Sequence, residues 1–89
     1  MQRNVPAIYF YCKNKEVVYV GKTYDIKTRH RQHIDRCDYC VEDYDSLTIQ
    51  YYNSKFILPT IELFYISLFQ PLYNQKECYP FEYDYERQY

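Results

Sequence analysis

The 89 residues carry 47% hydrophobic and 26% charged side chains and a formal charge of -1, a balance too apolar for disorder and a length that fits one small domain over 1–89. Such a domain buries roughly 65% of the surface its unfolded chain exposes. No apolar run approaches a membrane span and the start lacks a signal-peptide core, so the expected compartment is cytoplasmic, or nuclear in a eukaryote, with no membrane partner.

The near-neutral total conceals a division. Residues 1–36 hold eight Lys or Arg against three Asp or Glu, a net of +5, and residues 37–89 hold three against nine, a net of -6. That asymmetry is compatible with a basic face that meets phosphate, and equally with uneven solvation of an ordinary surface. Fourteen Tyr and no Trp point to rings that fill core edges while their hydroxyls take partners.

In chain order, Val5 to Cys12 and Val17 to Gly21 read as two strands of a β-hairpin joined by Lys13-Asn14-Lys15-Glu16, because aromatic and β-branched residues favour a pleated surface. Tyr9 and Tyr19 share a face only if paired residue numbers have an even sum, as with a three- or five-residue loop. A strict two-residue turn at Asn14-Lys15 would put them on opposite faces. A helix is expected from about Ile26 to Arg36, capped by Thr23 or Asp25. Its period carries Arg29 and His33 toward the packed side and turns Lys27 and Arg31 outward, where they meet nucleic-acid backbone or water.

Residues 38–45 read as an irregular acidic connection, and Leu47 to Tyr52 as a third, edge strand. A second helix begins near Pro59 and stops before Pro71. Glu62 lies on its apolar stripe, where a lone buried carboxylate costs several kcal/mol unless a metal or a cation such as Arg29 satisfies it. The alternative is the rim of that stripe. Asn74 holds a neighbouring loop or serves as a turn residue. Residues 78–89 alternate apolar and acidic and read as a further strand or an acidic aromatic tail. Cys37 and Cys40 have C-x-x-C spacing, but no second pair follows, and Cys12 and Cys78 lie far off in sequence. Reduced, partly buried thiols fit better than a four-cysteine zinc site.

These residues coincide with a named pattern. Ala7-Ile8-Tyr9 and Tyr19-Val20-Gly21, followed by Lys22-Thr23, Arg29, His33, Glu62 and Pro71-Leu72-Tyr73-Asn74, make the chain resemble the GIY-YIG nuclease family over residues 5–75, leaving 76–89 as a C-terminal extension. Ala7 stands where that family has its usual glycine. The resemblance implies an α/β (α+β) domain, a three-stranded antiparallel sheet flanked by helices. It also implies a divalent-metal-dependent endonuclease that hydrolyses DNA phosphodiester bonds with Mg2+, or Mn2+ in its place.

In that reading Glu62 holds the metal, and Arg29 binds the phosphate and stabilises its growing charge. Lys22 adds a second positive group or helps activate a tyrosine electrostatically, Tyr9 acts as base with Tyr19 as its positioning partner, and His33 accepts or relays the proton. Lys27, Arg31 and Asn74 are further substrate-binding candidates. The family would place Tyr9 and Tyr19 in one site, which makes the even-sum register the expected one. DNA is the implied partner, with RNA left open and with a homodimer or a larger DNA-targeting complex as ways for so small a module to find its site. The competing class is a noncatalytic nucleic-acid-binding or partner-binding module on the same fold.

Overall fold

The computed structural model describes residues 4–42 and 44–74; the expected strand or tail over 78–89, together with Cys78, lies outside them. The sheet has three antiparallel strands, β1 (Ala7–Lys13), β2 (Glu16–Thr23) and β3 (Ser46–Tyr51), in the order β2-β1-β3. β1 is therefore central, and it is the most completely buried strand because its five residues from Ala7 to Tyr11 are covered on both faces. Among the described residues β3 pairs with β1 alone and occupies the expected edge.

The hairpin reaches the even-sum register by a route the loop-length argument did not include. Asn14 and Lys15 both adopt positive φ, 54° and 67°, which is the backbone of a tight two-residue turn matched to strand twist. Lys13 accordingly faces Glu16 and Cys12 faces Val17. That register alone would separate the tyrosines. The pairing then shifts between Tyr11 and Cys12, so that Tyr11 faces Tyr19 and Tyr9 faces Gly21. Val18 is the extra residue of a β-bulge on β2, and one inserted residue flips every side chain beyond it to the other face.

The two faces of the sheet consequently carry different cores. Tyr9, Tyr11 and Tyr19 pack with Ile26 and Cys40 on one side, under α1 (Ile26–Asp35) and the short α2 (Tyr39–Glu42). Ile8, Phe10 and Val20 pack with Leu58 on the other, under α3 (Leu58–Phe69). The acidic connection is thus not wholly irregular, since α2 lies within it and places Cys40 in the first core. A single 3-10 turn (Lys55–Ile57) leads into α3, which has Pro59 in its first turn and ends at Gln70, in the left-handed conformation just before Pro71. No helix among the described residues is long and apolar enough to cross a membrane.

Candidate active site

The two signature tyrosines lie side by side, with ring centroids 6.1 Å apart. Tyr9 is fully buried, and its ring lies across Gly21 so closely that a Cβ there would stand 2.3 Å from Cζ and 2.4 Å from the hydroxyl oxygen. Gly21 has no positive φ. Its side chain is missing because the ring occupies that space, which sets the hydroxyl end of Tyr9 against the Gly21 backbone of β2.

The Tyr9 hydroxyl lies 2.8 Å from His33 Nε2, and His33 Nδ1 lies 2.8 Å from a carboxylate oxygen of Asp38. Both partners of this chain of bonds are buried. Burial alone would raise the Asp38 pKa, but the bonds from His33 and from Arg36 Nη2, at 2.7 Å, win and hold it below the usual carboxylate value. An ionised Asp38 accepts from Nδ1–H, which leaves Nε2 to accept the Tyr9 proton. His33 is held below its ordinary value mainly by burial, with Arg29 and Arg36 acting in the same direction and Asp38 offsetting part of it. The imidazole is therefore neutral near pH 7, the form that can take a proton from Tyr9.

Asp38 is a site residue that the sequence reading missed, having left it in the acidic connection. It arrives by the way α1 ends: Cys37 takes a left-handed conformation with φ 55°, and the Asp38 backbone N–H returns to the His33 carbonyl at 3.1 Å. This is the helix-ending geometry usually assigned to glycine, here carried by cysteine. The same turn leaves Cys37 exposed while Cys40 is buried, with its thiol 3.6 Å from His33 Nδ1. Burial, and then the nearby Asp38 carboxylate, push that thiol up to about 12. Cys12 packs on the opposite side of the sheet, against the α3 core.

Beyond Gly21, the end of β2 opens into a cleft of about 250 Å³ lined by Lys22, Thr23, Tyr24, Asp25, Arg29 and Gln32 together with Thr28. Arg29 is held over it by a bond from Nη1 to Gln32 Oε1 at 3.0 Å, and Asp25 caps α1 through Thr28. Glu62 stands on α3, across the sheet from Arg29. Lys22 joins the two sides, lining the cleft with Arg29 while its ammonium bonds Glu62 Oε1 at 3.3 Å. Glu62 is therefore satisfied by Lys22, not by the expected Arg29. Burial raises its pKa, and Lys22 offsets part of that. Neither signature tyrosine lines the cleft; both lie beneath it, in the core below β2. No cluster of three acidic, His or Cys side chains suited to a metal occurs among the described residues.

A family model described as the GIY-YIG catalytic domain matches residues 7–89. The chain belongs to the GIY-YIG family. No curated protein matches it in sequence. Among solved structures it is similar to the N-terminal GIY-YIG endonuclease domain of UvrC from Thermotoga maritima bound to magnesium, its catalytic divalent cation. The TM-score there is 0.77 and the identity 19%, over 84% of this chain and 89% of that one. Two point mutants of the same Thermotoga maritima domain, each bound to its catalytic divalent cation, match with TM-scores of 0.77 and 0.75. They are 19% and 18% identical, covering 84% and 82% of this chain and 88% and 86% of theirs. At that identity the likeness establishes the fold.

In this GIY-YIG domain the remaining sequence candidates divide. Lys27 and Arg31 are exposed on α1, as its period required. Asn74 holds the neighbouring strand: its Oδ1 accepts from the Val20 N–H and its Nδ2 donates to the Val20 carbonyl, both at 2.8 Å. The amide thereby acts as one more residue of sheet on the edge of β2, a clamp on the strand that carries Tyr19, Gly21 and Lys22. A second tyrosine–histidine pair, Tyr11 hydroxyl to His30 Nδ1 at 2.6 Å, lies beside the first. Burial raises Tyr11 far above the ordinary phenol value and lowers His30.

Proposed function

We propose that the chain is a divalent-metal-dependent endonuclease that hydrolyses phosphodiester bonds of DNA, with Mg2+ or Mn2+ as cofactor. The observation that supports this reading best is the meeting of Lys22 and Arg29 on one open cleft, with Glu62 one ion pair behind it. Two cations at a concave surface suit a phosphate, and the planar guanidinium adds a fixed fork of donors for the charge that grows as water attacks.

Glu62 fits a magnesium ion because that cation takes few protein ligands, one or two carboxylates, and fills the rest of its shell with water and substrate phosphate. Its burial also favours a positive partner, the role Lys22 fills here. When bound, the cation neutralises phosphate charge and polarises the leaving oxygen. Lys22, which pairs with Glu62 and lines the cleft, would be able to face the phosphate if Glu62 held the cation in its place.

Tyr9 serves as the base through its neighbour. A free phenol with a pKa of about 10 is a poor base at pH 7, but the Tyr9 proton points at the lone pair of a neutral His33. Tyr9 is fully buried and lines no part of the cleft, so the water it activates must reach its oxygen past Gly21, the residue that covers it; as that oxygen takes the water's proton, its own proton passes to Nε2, and the Asp38 carboxylate stabilises the imidazolium that results. Tyr19, tilted against Tyr9 and edge-on to His33 at 5.4 Å, holds both rings in register. Nicking of supercoiled DNA with magnesium, by the native protein and by Glu62→Ala, tests the proposal. Loss of at least about 100-fold in the variant is expected, and equal rates would overturn the metal role.

A further inference from the structure

One convergence of side chains lies outside the machinery just described. Tyr24 is exposed, follows β2 directly and lines the cleft with Lys22 and Arg29. Phe56 is 84% exposed, on the 3-10 turn before α3. Lys55 lies between them, its ammonium 5.6 Å from the Tyr24 ring centroid and 5.9 Å from that of Phe56. These distances are those of cation–π attraction, so one lysine ties two rings from separate segments into a single surface. Ser54 fixes the turn beneath them, its Oγ accepting the Phe56 backbone N–H at 3.2 Å.

We propose that Tyr24 and Phe56, with Lys55 between them, form a stacking platform for unpaired nucleobases beside the scissile phosphate. The proposal rests on the reading that the Lys22–Arg29 cleft takes a phosphodiester, and it adds the substrate class: DNA that is single-stranded or locally opened. An aromatic face stacks on any base, a neighbouring cation tracks the backbone, and exposed rings interleaved with Lys are how single strands are bound without sequence preference. A paired duplex hides its base faces and cannot use the rings. Leu58, two residues after Phe56, is fully buried and supplies the core contact of this segment, so among the described residues the Phe56 ring has no packing role that explains its presence.

The test is fluorescence anisotropy of a labelled 12-nucleotide strand, of the same strand built from abasic nucleotides, and of the corresponding duplex, in chelator so that nothing is cut. The native protein should bind the base-bearing strand about tenfold or more tighter than the abasic one. Phe56→Ala should lose most of that advantage without changing abasic binding, and Tyr24→Leu should lose part of it. Phe56 is too exposed for its truncation to unfold the domain, and thermal melting of both variants checks that each is folded. Equal native affinity for base-bearing and abasic strands, or a Phe56→Ala affinity within twofold of native, overturns the platform. Base-dependent binding without magnesium-dependent nicking would uphold it while removing the nuclease reading, whereas nicking without base dependence would remove the platform alone.

Discussion

Replacing Gly21 by alanine tests how the second signature builds the site. The added methyl carbon would stand 2.3 Å from Tyr9 Cζ, 2.4 Å from its hydroxyl and 2.7 Å from Cε1, about 1 Å or more inside ordinary carbon contact distance. Backbone conformation is not the obstacle, since Gly21 has no positive φ. Relief must come from the Tyr9 ring, and that ring has no room to move: it is 0% exposed, bonded to His33 at 2.8 Å and edge-on to Tyr11. Overpacking of this kind costs about 2–3 kcal/mol, which lowers the melting midpoint of a domain of this size by about 10–20 °C.

Thermal unfolding followed by circular dichroism reads that shift. A double-mutant cycle identifies its cause. In a Tyr9→Val background the same Gly21→Ala change should cost less than about 1 kcal/mol, whereas Tyr9→Phe should give no relief because Cζ and Cε1 remain. A Gly21→Ala midpoint within about 2 °C of native, or a cost unchanged by Tyr9→Val, would refute the reasoning.

Further expectations follow from the same contacts. Glu62→Gln removes a carboxylate whose ionised form is penalised by burial, so chemical denaturation should show stability unchanged or raised by up to about 1 kcal/mol while magnesium-dependent cleavage is lost; a large destabilisation would mean the Lys22 ion pair is chiefly structural. Asn74→Ala leaves the Val20 N–H and carbonyl without their side-chain partner and should cost about 1–3 kcal/mol in the same assay, with little change in DNA affinity at a temperature where the variant is folded. Stability should also depend on pH. His33 has its folded pKa lowered, so its contribution is complete above the unfolded value of about 6.5 and drains away as pH falls below it, because the unfolded chain then takes up the proton first. Asp38, also lowered, adds a second loss below about pH 4, while Glu62, raised, acts in the opposite sense across the carboxylate range. The melting midpoint should be level from pH 7 to 8 and should fall from pH 6.5 downward, less steeply in His33→Gln; a native midpoint that climbs on acidification to pH 5.5 would contradict the burial of a neutral imidazole.

What the sequence made legible and what it hid have physical causes. Strand and helix periods placed Arg29 and His33 on the packed side of α1 and Lys27 and Arg31 outside, because those faces depend on local spacing alone. The shared face of Tyr9 and Tyr19 was deduced from their expected common site, while the device that produces it, a two-residue turn corrected by a bulge at Val18, has no signal in residues that are all good strand formers. Asp38 was hidden for a similar reason. A helix ending in glycine would have marked the reversal that brings the next residue back to His33, and here a cysteine adopts that conformation. The partner of Glu62 depended on tertiary arrangement: two helices on opposite faces meet only at the end of an edge strand, where Lys22 reaches both.

The most direct measurement is the single-turnover cleavage rate of a DNA substrate at saturating magnesium for native protein and for Arg29→Ala, with the melting midpoint of each recorded alongside. Removal of a donor aimed at developing phosphate charge should slow cleavage about 100- to 1,000-fold, with Arg29→Lys recovering only part of the rate because its ammonium lacks the planar fork. An Arg29→Ala rate within twofold of native, in a protein that is fully folded, would contradict the assignment of the Lys22–Arg29 cleft as the place where the phosphate is held and cut.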